Sequence, residues 1–366
     1  MFIEGLVLLG LLGAEDEARW IEPRCTPLEC TKNGPFVQLD DGALLGVDGN
    51  VLCRSTDGGK TWANEGSVID PDMDMRHVGH TGQILRTKAG TLVVLFLDLA
   101  KIHFKWNRET HGPEPDCHLA LFAIRSTDGG ATWTDKQQLL GGYNADFMGF
   151  IQLTSGRLVM VCEHLVPELR RWVSTSFVSD DDGATWQAGN WIDLGGHGHH
   201  DGAVEPACIE LKDGRVMMLI RTCLDRVWRA YSEDGRYWRE LGPTEIAASS
   251  APGWLCRLAS GRIAYVYNPL KGEDMAEAPR SNSADPTCEF PASWFRGELR
   301  IVFSDDDGKT WGESKLLARH TGGQLAYPYM FERTPGELWI FTRYTFDAAH
   351  KPAPPLQIAI QEKDFQ

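Results

Sequence analysis

The chain has 366 residues and a formal net charge of −15 at pH 7. This acidic balance argues against nucleic acid or an anionic membrane surface as the main partner, because both would repel the protein. The apolar run near the start is too short to span a bilayer. Glu4 precedes this run and no basic flank is present, which makes it a poor secretory signal, with a degenerate signal segment as the alternative. We expect an N-terminal lead over residues 1–24 and a single domain over residues 25–366, without a prediction of compartment or oligomeric state.

A nine-residue motif recurs along the chain, with the pattern Ser-x-Asp-x-Gly-x-Thr-Trp. Its Asp and Gly favour a tight turn, and its Trp is large enough to pack that turn onto the adjoining strands. The fourth copy is one residue shorter and has Tyr237 in place of Thr. In chain order the copies are "RSTDGGKTW" (54–62), "RSTDGGATW" (125–133), "VSDDDGATW" (178–186), "YSEDGRYW" (231–238) and "FSDDDGKTW" (303–311).

Apolar hairpins alternate with these motifs. Each one consists of an apolar strand, a short turn with Gly, and a second apolar strand, and each motif adds a second hairpin to its unit. Two hairpins make a four-stranded sheet, and six such units predict an all-β, six-bladed β-propeller with four-stranded antiparallel blades. In chain order the six are "VQLDDGALLGV", "ILRTKAGTLVVLF", "IQLTSGRLVMVC", "IELKDGRVMMLIR", "CRLASGRIAYVY" and "FERTPGELWIFTR".

The five motifs resemble the Asp boxes of the sialidase (neuraminidase) superfamily, which are six-bladed propellers. The resemblance implies a retaining glycoside hydrolase that removes a terminal acidic sugar from a glycan or oligosaccharide and needs no cofactor. It also implies that the aspartates of the boxes lie in turns at the blade periphery and are structural. These aspartates are Asp57, Asp128, Asp181, Asp234 and Asp306.

The fourth hairpin, in "AVEPACIELKDGRVMMLIR", resembles the sialidase blade in which a Glu begins one strand and an Arg ends the next. Glu205 and Arg221 match these positions. In the family the Glu polarises a nucleophilic Tyr and the Arg binds the sugar carboxylate. The two strands of one hairpin place Glu205 and Arg221 side by side. A charged pair at the end of apolar strands costs desolvation, which favours a functional role over a structural ion pair.

Two later segments supply the remaining candidates. Arg296, in "FRGELRIVF", fits the slot of a second carboxylate-binding arginine, with Arg300 as its fallback. Two guanidinium groups suit a planar anion because each can bind it in a bidentate manner. Tyr327, in "LAYPYMF", matches the nucleophilic tyrosine, and Tyr329 is close enough in sequence to be confused with it.

The first blade departs from the family pattern. Sialidases usually have an Arg-Ile-Pro motif here, whereas counting back from Asp41 and Gly42 places Lys32 at the arginine position. Lysine is a point charge without the planar fork, so it would bind a carboxylate less directionally. The family's acid/base Asp lies on a loop that is only "GVDGN" in this chain, which leaves Asp48 as the candidate acid.

Strand-entry loops offer further candidates. His80 and His200 are alternative proton donors or sugar ligands, and Asp201, beside His200, is a further candidate for binding the substrate. Asp146, at the start of a strand in the third blade, is a candidate contact for sugar hydroxyl groups. The insertions over residues 99–121 and 267–295 are expected to be surface flaps, with a role in substrate selectivity as the alternative.

The cysteines and histidines do not predict a metal site. The nine cysteines lack a C-x-x-C spacing, and their odd number favours free thiols in the core over a disulfide framework. His197, His199 and His200 cluster beside Asp201, but their spacing on a glycine-rich loop is not a standard zinc signature.

Three other functions fit the same pattern. One is a propeller glycosidase or lyase for another sugar, such as a uronic acid or a deoxyhexose, with His as acid or base. The second is a non-catalytic carbohydrate-binding propeller, and the third is a protein-interaction scaffold. The fold alone does not choose among them.

Overall fold

The computed structural model describes residues 19–75, 82–281 and 288–365. Short strands dominate these residues, and the only helical pieces among them are two 3₁₀ turns, Leu99–Lys101 and Glu362–Phe365. None of the described helices is both long and apolar enough to cross a membrane. The strands are β1 (Arg19–Ile21), β2 (Thr26–Pro27), β3 (Phe36–Gln38), β4 (Leu44–Asp48), β5 (Val51–Ser55), β6 (Ala63–Ser67), β7 (Gln83–Arg86), β8 (Leu92–Leu97), β9 (Trp106–Asn107), β10 (Gly112–Pro113), β11 (Leu121–Ser126), β12 (Thr134–Leu140), β13 (Tyr143–Asn144), β14 (Gly149–Gln152), β15 (Leu158–Val166), β16 (Arg171–Ser179), β17 (Gln187–Ala188), β18 (Val204–Glu210), β19 (Val216–Arg221), β20 (Arg226–Ser232), β21 (Trp238–Ala247), β22 (Trp254–Arg257), β23 (Ile263–Tyr267), β24 (Glu298–Ser304), β25 (Lys315–His320), β26 (Gln324–Thr334), β27 (Glu337–Phe346) and β28 (Gln357–Gln361).

The strands form six antiparallel blades, which confirms the predicted six-bladed propeller. Blade one consists of β3 to β6. Blade two consists of β7, β8, β11 and β12, and blade four consists of β18 to β21. Blade three is β14 to β17, with β13 paired to the far end of β15. Blade five is β22 to β25 and blade six is β26 to β28, and each takes one more strand from the start of the described chain. The small hairpin of β9 and β10 lies within the insertion of blade two.

Each interface between neighbouring blades holds its own apolar cluster, because a blade exposes two apolar faces that only its neighbours can cover. The cluster between blades four and five contains Met217 and Ile263, for example, and the one between blades six and one contains Phe341 and Phe36. The other four interfaces have equivalent clusters. The core of the molecule is therefore a ring of six interfaces around the central axis.

The Asp boxes form the turns between the third and fourth strands of their blades. In the first box, Asp57 Oδ1 accepts from the Ser55 hydroxyl at 2.8 Å, and Asp57 Oδ2 accepts from the Thr61 hydroxyl at 2.6 Å. The Thr61 bonds, followed by that of Ser55, hold the pKa of Asp57 at about 2. In the shorter fourth box, Asp234 instead accepts the backbone N–H groups of Arg236 and Tyr237. The box carboxylates are thus occupied in binding their own turns.

The ring closes through the first described strands. β2 pairs with β28 and completes blade six, and β1 pairs with β25 at the outer edge of blade five. Although β1 lies within the predicted N-terminal lead, it is part of a blade. The division of the chain into a lead and a domain stays a prediction.

The cysteines depart in part from the sequence prediction. Seven are free, and all but Cys256 of these are buried, as expected for core thiols. Cys223 and Cys288, however, form a disulfide across 65 residues of sequence. It links the segment after β19 to the insertion of blade five, and the prediction of free thiols is wrong for this pair because spacing in sequence does not reveal such a contact.

Candidate active site

Glu205 and Tyr327 occupy matching positions at the inner strands of blades four and six. Both have left-handed backbones, with φ of 41° and 54°, and a proline follows each. Left-handed φ is uncommon for residues other than glycine and is often found at functional sites. The strand pairing skips from Val204 to Ala207 in blade four, so Glu205 leaves the regular alternation of faces.

These two side chains meet, although blade five lies between them in sequence. The Tyr327 hydroxyl donates to Glu205 Oε1 at 2.6 Å, and Arg221 Nη1 donates to Glu205 Oε2. All three residues are buried, with 8%, 5% and 3% of their surfaces exposed for Tyr327, Glu205 and Arg221. One carboxylate therefore binds a phenol on one side and a guanidinium on the other.

Burial and neighbouring charges shift the pKa values of Tyr327 and Arg221. Burial raises the pKa of Tyr327 well above its usual value of 10, and the charge of Glu205 adds to that effect against Arg221 and Arg296. Burial disfavours the charge of Arg221, but Glu205 and Tyr327 outweigh this and raise its pKa. At neutral pH Tyr327 is therefore a neutral phenol, and its hydroxyl donates to Glu205.

Arg296 completes the cluster predicted from the sequence. Its Nη2 donates to the backbone oxygen of Ser250 at 3.3 Å, and Arg221 Nε donates to the Ser250 hydroxyl at 3.1 Å, so one serine contacts both guanidinium groups. The Arg296 guanidinium carbon lies 5.5 Å from the centre of the Tyr327 ring. Burial lowers the pKa of Arg296, which otherwise gains from Tyr327. The structure brings Glu205, Arg221, Arg296 and Tyr327 together, and their roles in a reaction stay predictions.

Two carboxyl groups of blade three border this cluster. Glu163 is 1% exposed, and its Oε2 accepts the backbone N–H of Glu205 at 3.0 Å. Burial, followed by the nearby charge of Glu205, raises the pKa of Glu163 well above 4.5. Asp146 is 5% exposed, and its charge contributes to raising the pKa values of Glu163 and Tyr327. Sequence reasoning found Asp146 but missed Glu163.

The loop that carries His197, His199 and His200, here called the histidine loop, borders the same cluster through His200. Its ring lies 5.3 Å from that of Trp294, which also packs 5.5 Å from the guanidinium carbon of Arg221. Burial and then the charge of Arg221 lower the pKa of His200 well below 6.5, so this imidazole is neutral at neutral pH. Trp294 belongs to the insertion of blade five, and the sequence offered no signal for its position.

The Asp201 carboxylate binds two backbone N–H groups, and its role as a substrate ligand stays a prediction. Its Oδ1 accepts the N–H of Gly202 and its Oδ2 the N–H of Glu289, both at 2.8 Å. The carboxylate thus joins the histidine loop to the insertion of blade five. His80 lies outside the described residues.

Lys32 and Asp48 contact each other and not the Glu205 cluster. The Lys32 ammonium forms an ion pair with Asp48 and lies 5.9 Å from the ring of Trp62 in the first Asp box. The reason is local, since the N–H of Thr31 bonds to the Gly59 oxygen of that box at 3.0 Å and holds this segment beside the outer part of blade one. Counting along the sequence placed Lys32 at the family's arginine position, but the chain directs its side chain elsewhere.

Tyr329 is a core residue, although it is only two positions from Tyr327. Its hydroxyl accepts the N–H of Phe36 at 2.9 Å, and its ring packs between blades six and one. The left-handed backbone at Tyr327 interrupts the alternation of faces, which is why the two tyrosines reach different environments.

Arg343, on β27, is a further charged residue that sequence reasoning missed. It is 8% exposed, and its Nη2 lies 3.4 Å from the sulfur of Met148. A signal did exist, because Arg343 follows Tyr327 by 16 residues, as Arg221 follows Glu205. Among the described residues, no group of three or more His, Cys, Asp or Glu side chains is arranged to hold a metal ion.

Comparisons with known proteins agree with this architecture. The family model of the BNR repeat-like domain matches residues 53–340. A sialidase of Micromonospora viridifaciens is 27% identical over 315 residues, which cover 80% of this chain and 46% of the relative, so the chain spans about half the length of that protein.

Solved structures show the same fold at lower sequence identity. The Hadza microbial sialidase Hz136 has a TM-score of 0.54 at 18% identity, with 90% of this chain and 65% of that chain covered. The α-L-arabinofuranosidase of Fusarium graminearum has a TM-score of 0.58 at 12% identity, with 93% and 99% covered. A Dyadobacter fermentans protein of unknown function has a TM-score of 0.57 at 16% identity, with 92% and 98% covered. The chain belongs to the BNR repeat-like domain family, and its fold is the sialidase-like propeller that its Asp boxes predicted.

Proposed function

We propose that this protein is a retaining glycoside hydrolase, similar to exo-α-sialidases, that removes a terminal acidic sugar from glycans. The observation that supports this most is the hydrogen bond of 2.6 Å from Tyr327 to Glu205, whose other oxygen binds Arg221. A phenol beside a buried carboxylate is an activated nucleophile, because the carboxylate can take the proton as the oxygen attacks. The relationship to sialidases adds support for the sugar class.

In the proposed reaction, Glu205 removes the hydroxyl proton of Tyr327 while the phenol oxygen attacks the anomeric carbon. The bond to the leaving oxygen breaks, the leaving group departs as an oxyanion that takes a proton from solvent, and a tyrosyl glycoside forms. Water then attacks the same carbon and gives up a proton to solvent while Glu205 returns its proton to the departing Tyr327 oxygen, so that the sugar leaves with its original configuration. A neutral tyrosine suits an acidic sugar because it avoids the repulsion that a carboxylate nucleophile would meet.

Arg221 and Arg296 would bind the carboxylate of the substrate, since they converge at Ser250 beside Tyr327. Lys32 and Asp48 are assigned no part in this reaction, because they pair with each other in blade one. His200 is neutral at neutral pH and would act as a hydrogen-bonding ligand of the sugar. This assignment leaves no residue as the general acid. Substrates with an aryl leaving group therefore make the sharpest test, because the departure of an aryloxide needs little help from an acid.

The test uses a panel of fluorogenic α-glycosides that includes a sialoside, uronides and a neutral deoxyhexoside. The wild-type protein should hydrolyse an acidic member, and the first product seen by NMR should be the retained anomer. Tyr327→Phe should lower kcat by about 10³-fold or more, because the nucleophile is lost. Tyr329→Phe is the matched control and should keep kcat within about twofold, since Tyr329 lies in the core.

Each alternative has its own outcome in this test. An unchanged rate in Tyr327→Phe would remove the tyrosine as nucleophile. Preferred turnover of the neutral glycoside would contradict the carboxylate-binding role of Arg221 and Arg296. Tight binding of one sugar without any turnover would instead indicate a carbohydrate-binding propeller.

A further inference from the structure

The hairpins of blades four and six are built on one plan. In each, a residue with left-handed φ precedes a proline on the inner strand, a turn glycine follows nine residues after the left-handed residue, and an arginine follows seven residues after the glycine. Blade four has Glu205, Gly214 and Arg221, and blade six has Tyr327, Gly336 and Arg343. Arg343 therefore has the same position in its hairpin as Arg221 has in blade four.

The surroundings of Arg343 do not account for its charge. It is 8% exposed, it forms no ion pair with a described residue, and its hydrogen-bond contact is the sulfur of Met148, a weak acceptor. Its Nε atom is buried without a hydrogen-bond partner. Burial lowers the pKa of Arg343, while the charges of Asp146, Tyr327 and Glu205 act in the opposite direction, which places the guanidinium in the field of the same cluster. A buried guanidinium that forms no ion pair with the described residues is costly to the fold, and it is suited to binding an anionic ligand.

Arg343 shares one feature with the two arginines of the cluster, although Arg221 is paired with Glu205. Each of the three has a buried nitrogen that lacks a hydrogen-bond partner, namely Nη2 of Arg221, Nε of Arg296 and Nε of Arg343. They come from blades four, five and six. Lys32 from blade one, the other cation expected here from the sequence, is paired with Asp48.

We propose that Arg343 is a third ligand for the anionic group of the substrate, so that the anion site is built from blades four, five and six. This inference rests on the proposed function for the nature of the anion, a sugar carboxylate. Two guanidinium groups can bind the two carboxylate oxygens, and a third supplies charge from a different blade, which favours acids over their neutral analogues.

The experiment measures binding, so that it does not depend on turnover. Isothermal titration calorimetry compares a free carboxylate sugar with its carboxamide on the wild-type protein and on Arg343→Met. The ratio of the two affinities should fall by roughly 10- to 100-fold in Arg343→Met, the range for loss of one charge-assisted hydrogen bond. Arg333→Met, on β26 of the same hairpin, is the matched control and should keep the wild-type ratio, because Arg333 bonds the Gly42 oxygen away from the cluster.

Thermal melting of the same variants separates a ligand from a structural residue. If Arg343 serves the ligand, Arg343→Met should melt at or above the wild-type temperature, because an unpaired buried charge is removed. A lower melting temperature together with an unchanged affinity ratio would overturn the inference. If Arg343→Met does not fold, Arg343→Lys and a crystal structure of the wild-type protein with the bound carboxylate sugar decide the question, and a carboxylate out of hydrogen-bond reach of Arg343 would refute the proposal.

The two proposals fail in different ways. An affinity ratio that depends on Arg343, in a protein that hydrolyses no glycoside, would keep this inference and reject the hydrolase. Hydrolysis that depends on Tyr327, with an affinity ratio that is the same in wild type and Arg343→Met, would keep the hydrolase and reject this inference. Absence of carboxylate binding by the wild-type protein would reject Arg343 as a ligand outright.

Discussion

Glu205 and Glu163 show how two adjacent carboxyl groups come to occupy different environments. Glu205 accepts hydrogen bonds from Arg221 and from Tyr327. Glu163 is 1% exposed, the one hydrogen bond that its side chain accepts from the described residues comes from the N–H of Glu205, and burial raises its pKa well above 4.5. The environment thus favours the protonated form of Glu163, next to a Glu205 that binds a guanidinium and a phenol.

Glu163→Gln should change how stability depends on pH. Because the pKa of Glu163 is higher in the folded protein than in the unfolded chain, the wild-type protein holds a proton above pH 4.5 that the unfolded chain has released. The free energy of unfolding should therefore fall as pH rises from 4.5 toward the folded pKa, by about 1.4 kcal/mol per unit of pH. Gln keeps the acceptor for Glu205 and does not titrate, so its advantage over wild type should grow with pH in urea titrations. A constant difference from pH 5 to 8 would contradict the protonated state of Glu163.

Residues on the inner hairpins were predictable from their motifs, and those outside the hairpins were not. Glu205, Arg221 and Tyr327 lie on the inner hairpins of blades four and six, although Glu205 and Tyr327 fall where the strand pairing is interrupted. Lys32 precedes the first strand of blade one, where no register fixes the side chain, and its contact with Asp48 depends on the neighbouring Asp box. Glu163 was within reach, since it follows the turn glycine Gly156 by seven residues, as Arg221 follows Gly214.

The turn of the Asp box is the element whose structure was most predictable from the sequence. Its hydrogen bonds are local, so the motif and the turn are almost the same information. In blade five, Asp306 accepts from the Ser304 hydroxyl at 3.0 Å and from the N–H and hydroxyl of Thr310 at 2.8 and 2.6 Å. The Thr310 bonds hold the pKa of Asp306 at about 2.

Asp306→Ala should lower the free energy of unfolding by about 2 kcal/mol, because three hydrogen bonds of a tight turn are lost together. The turn lies at the far end of the blade from Arg296, so kcat should not change. Asp305→Ala is the neighbouring control and should cost under about 1 kcal/mol, because its ion pair with Arg262 is exposed. Urea unfolding and a rate assay check both, and the Asp306 deficit should shrink as pH falls from 4 toward 2, where the wild-type carboxylate gains its proton. Equal losses in the two variants would argue against a special role for the box.

The insertion of blade five is the element that the sequence described least. It was expected to be a surface flap, yet its Trp294 packs against Arg221 and His200. Its course depends on the Cys223–Cys288 disulfide and on the bond from the Glu289 N–H to Asp201, which are contacts between distant parts of the chain. Patterns of apolar residues carry no record of such contacts.

At the scale of the whole molecule, the number of blades was predictable because the sequence contains six apolar hairpins, one for each blade. The closure of the ring was not, since β1 and β2 are only three and two residues long and have no apolar alternation. Their pairing with β25 and β28 satisfies edge strands of blades five and six that would otherwise be free to bind other chains.

A chain that starts at Leu28 should therefore melt lower than one that starts at Arg19, by roughly 5 °C or more, because it lacks both closing strands. It should also self-associate more through the exposed edge of β28. Differential scanning calorimetry and light scattering compare the two chains. Coincident melting curves would show that β1 and β2 add nothing to closure.

The bond between Tyr327 and Glu205 has a consequence for how such a protein can diverge. It joins side chains from blades four and six, which are not adjacent, so it depends on the number of blades that set the curvature of the ring. Gain or loss of a single blade by duplication or deletion would leave every hairpin intact and still separate the phenol from its carboxylate. Descendants with five or seven blades would inherit the architecture and would have to assemble their chemistry anew.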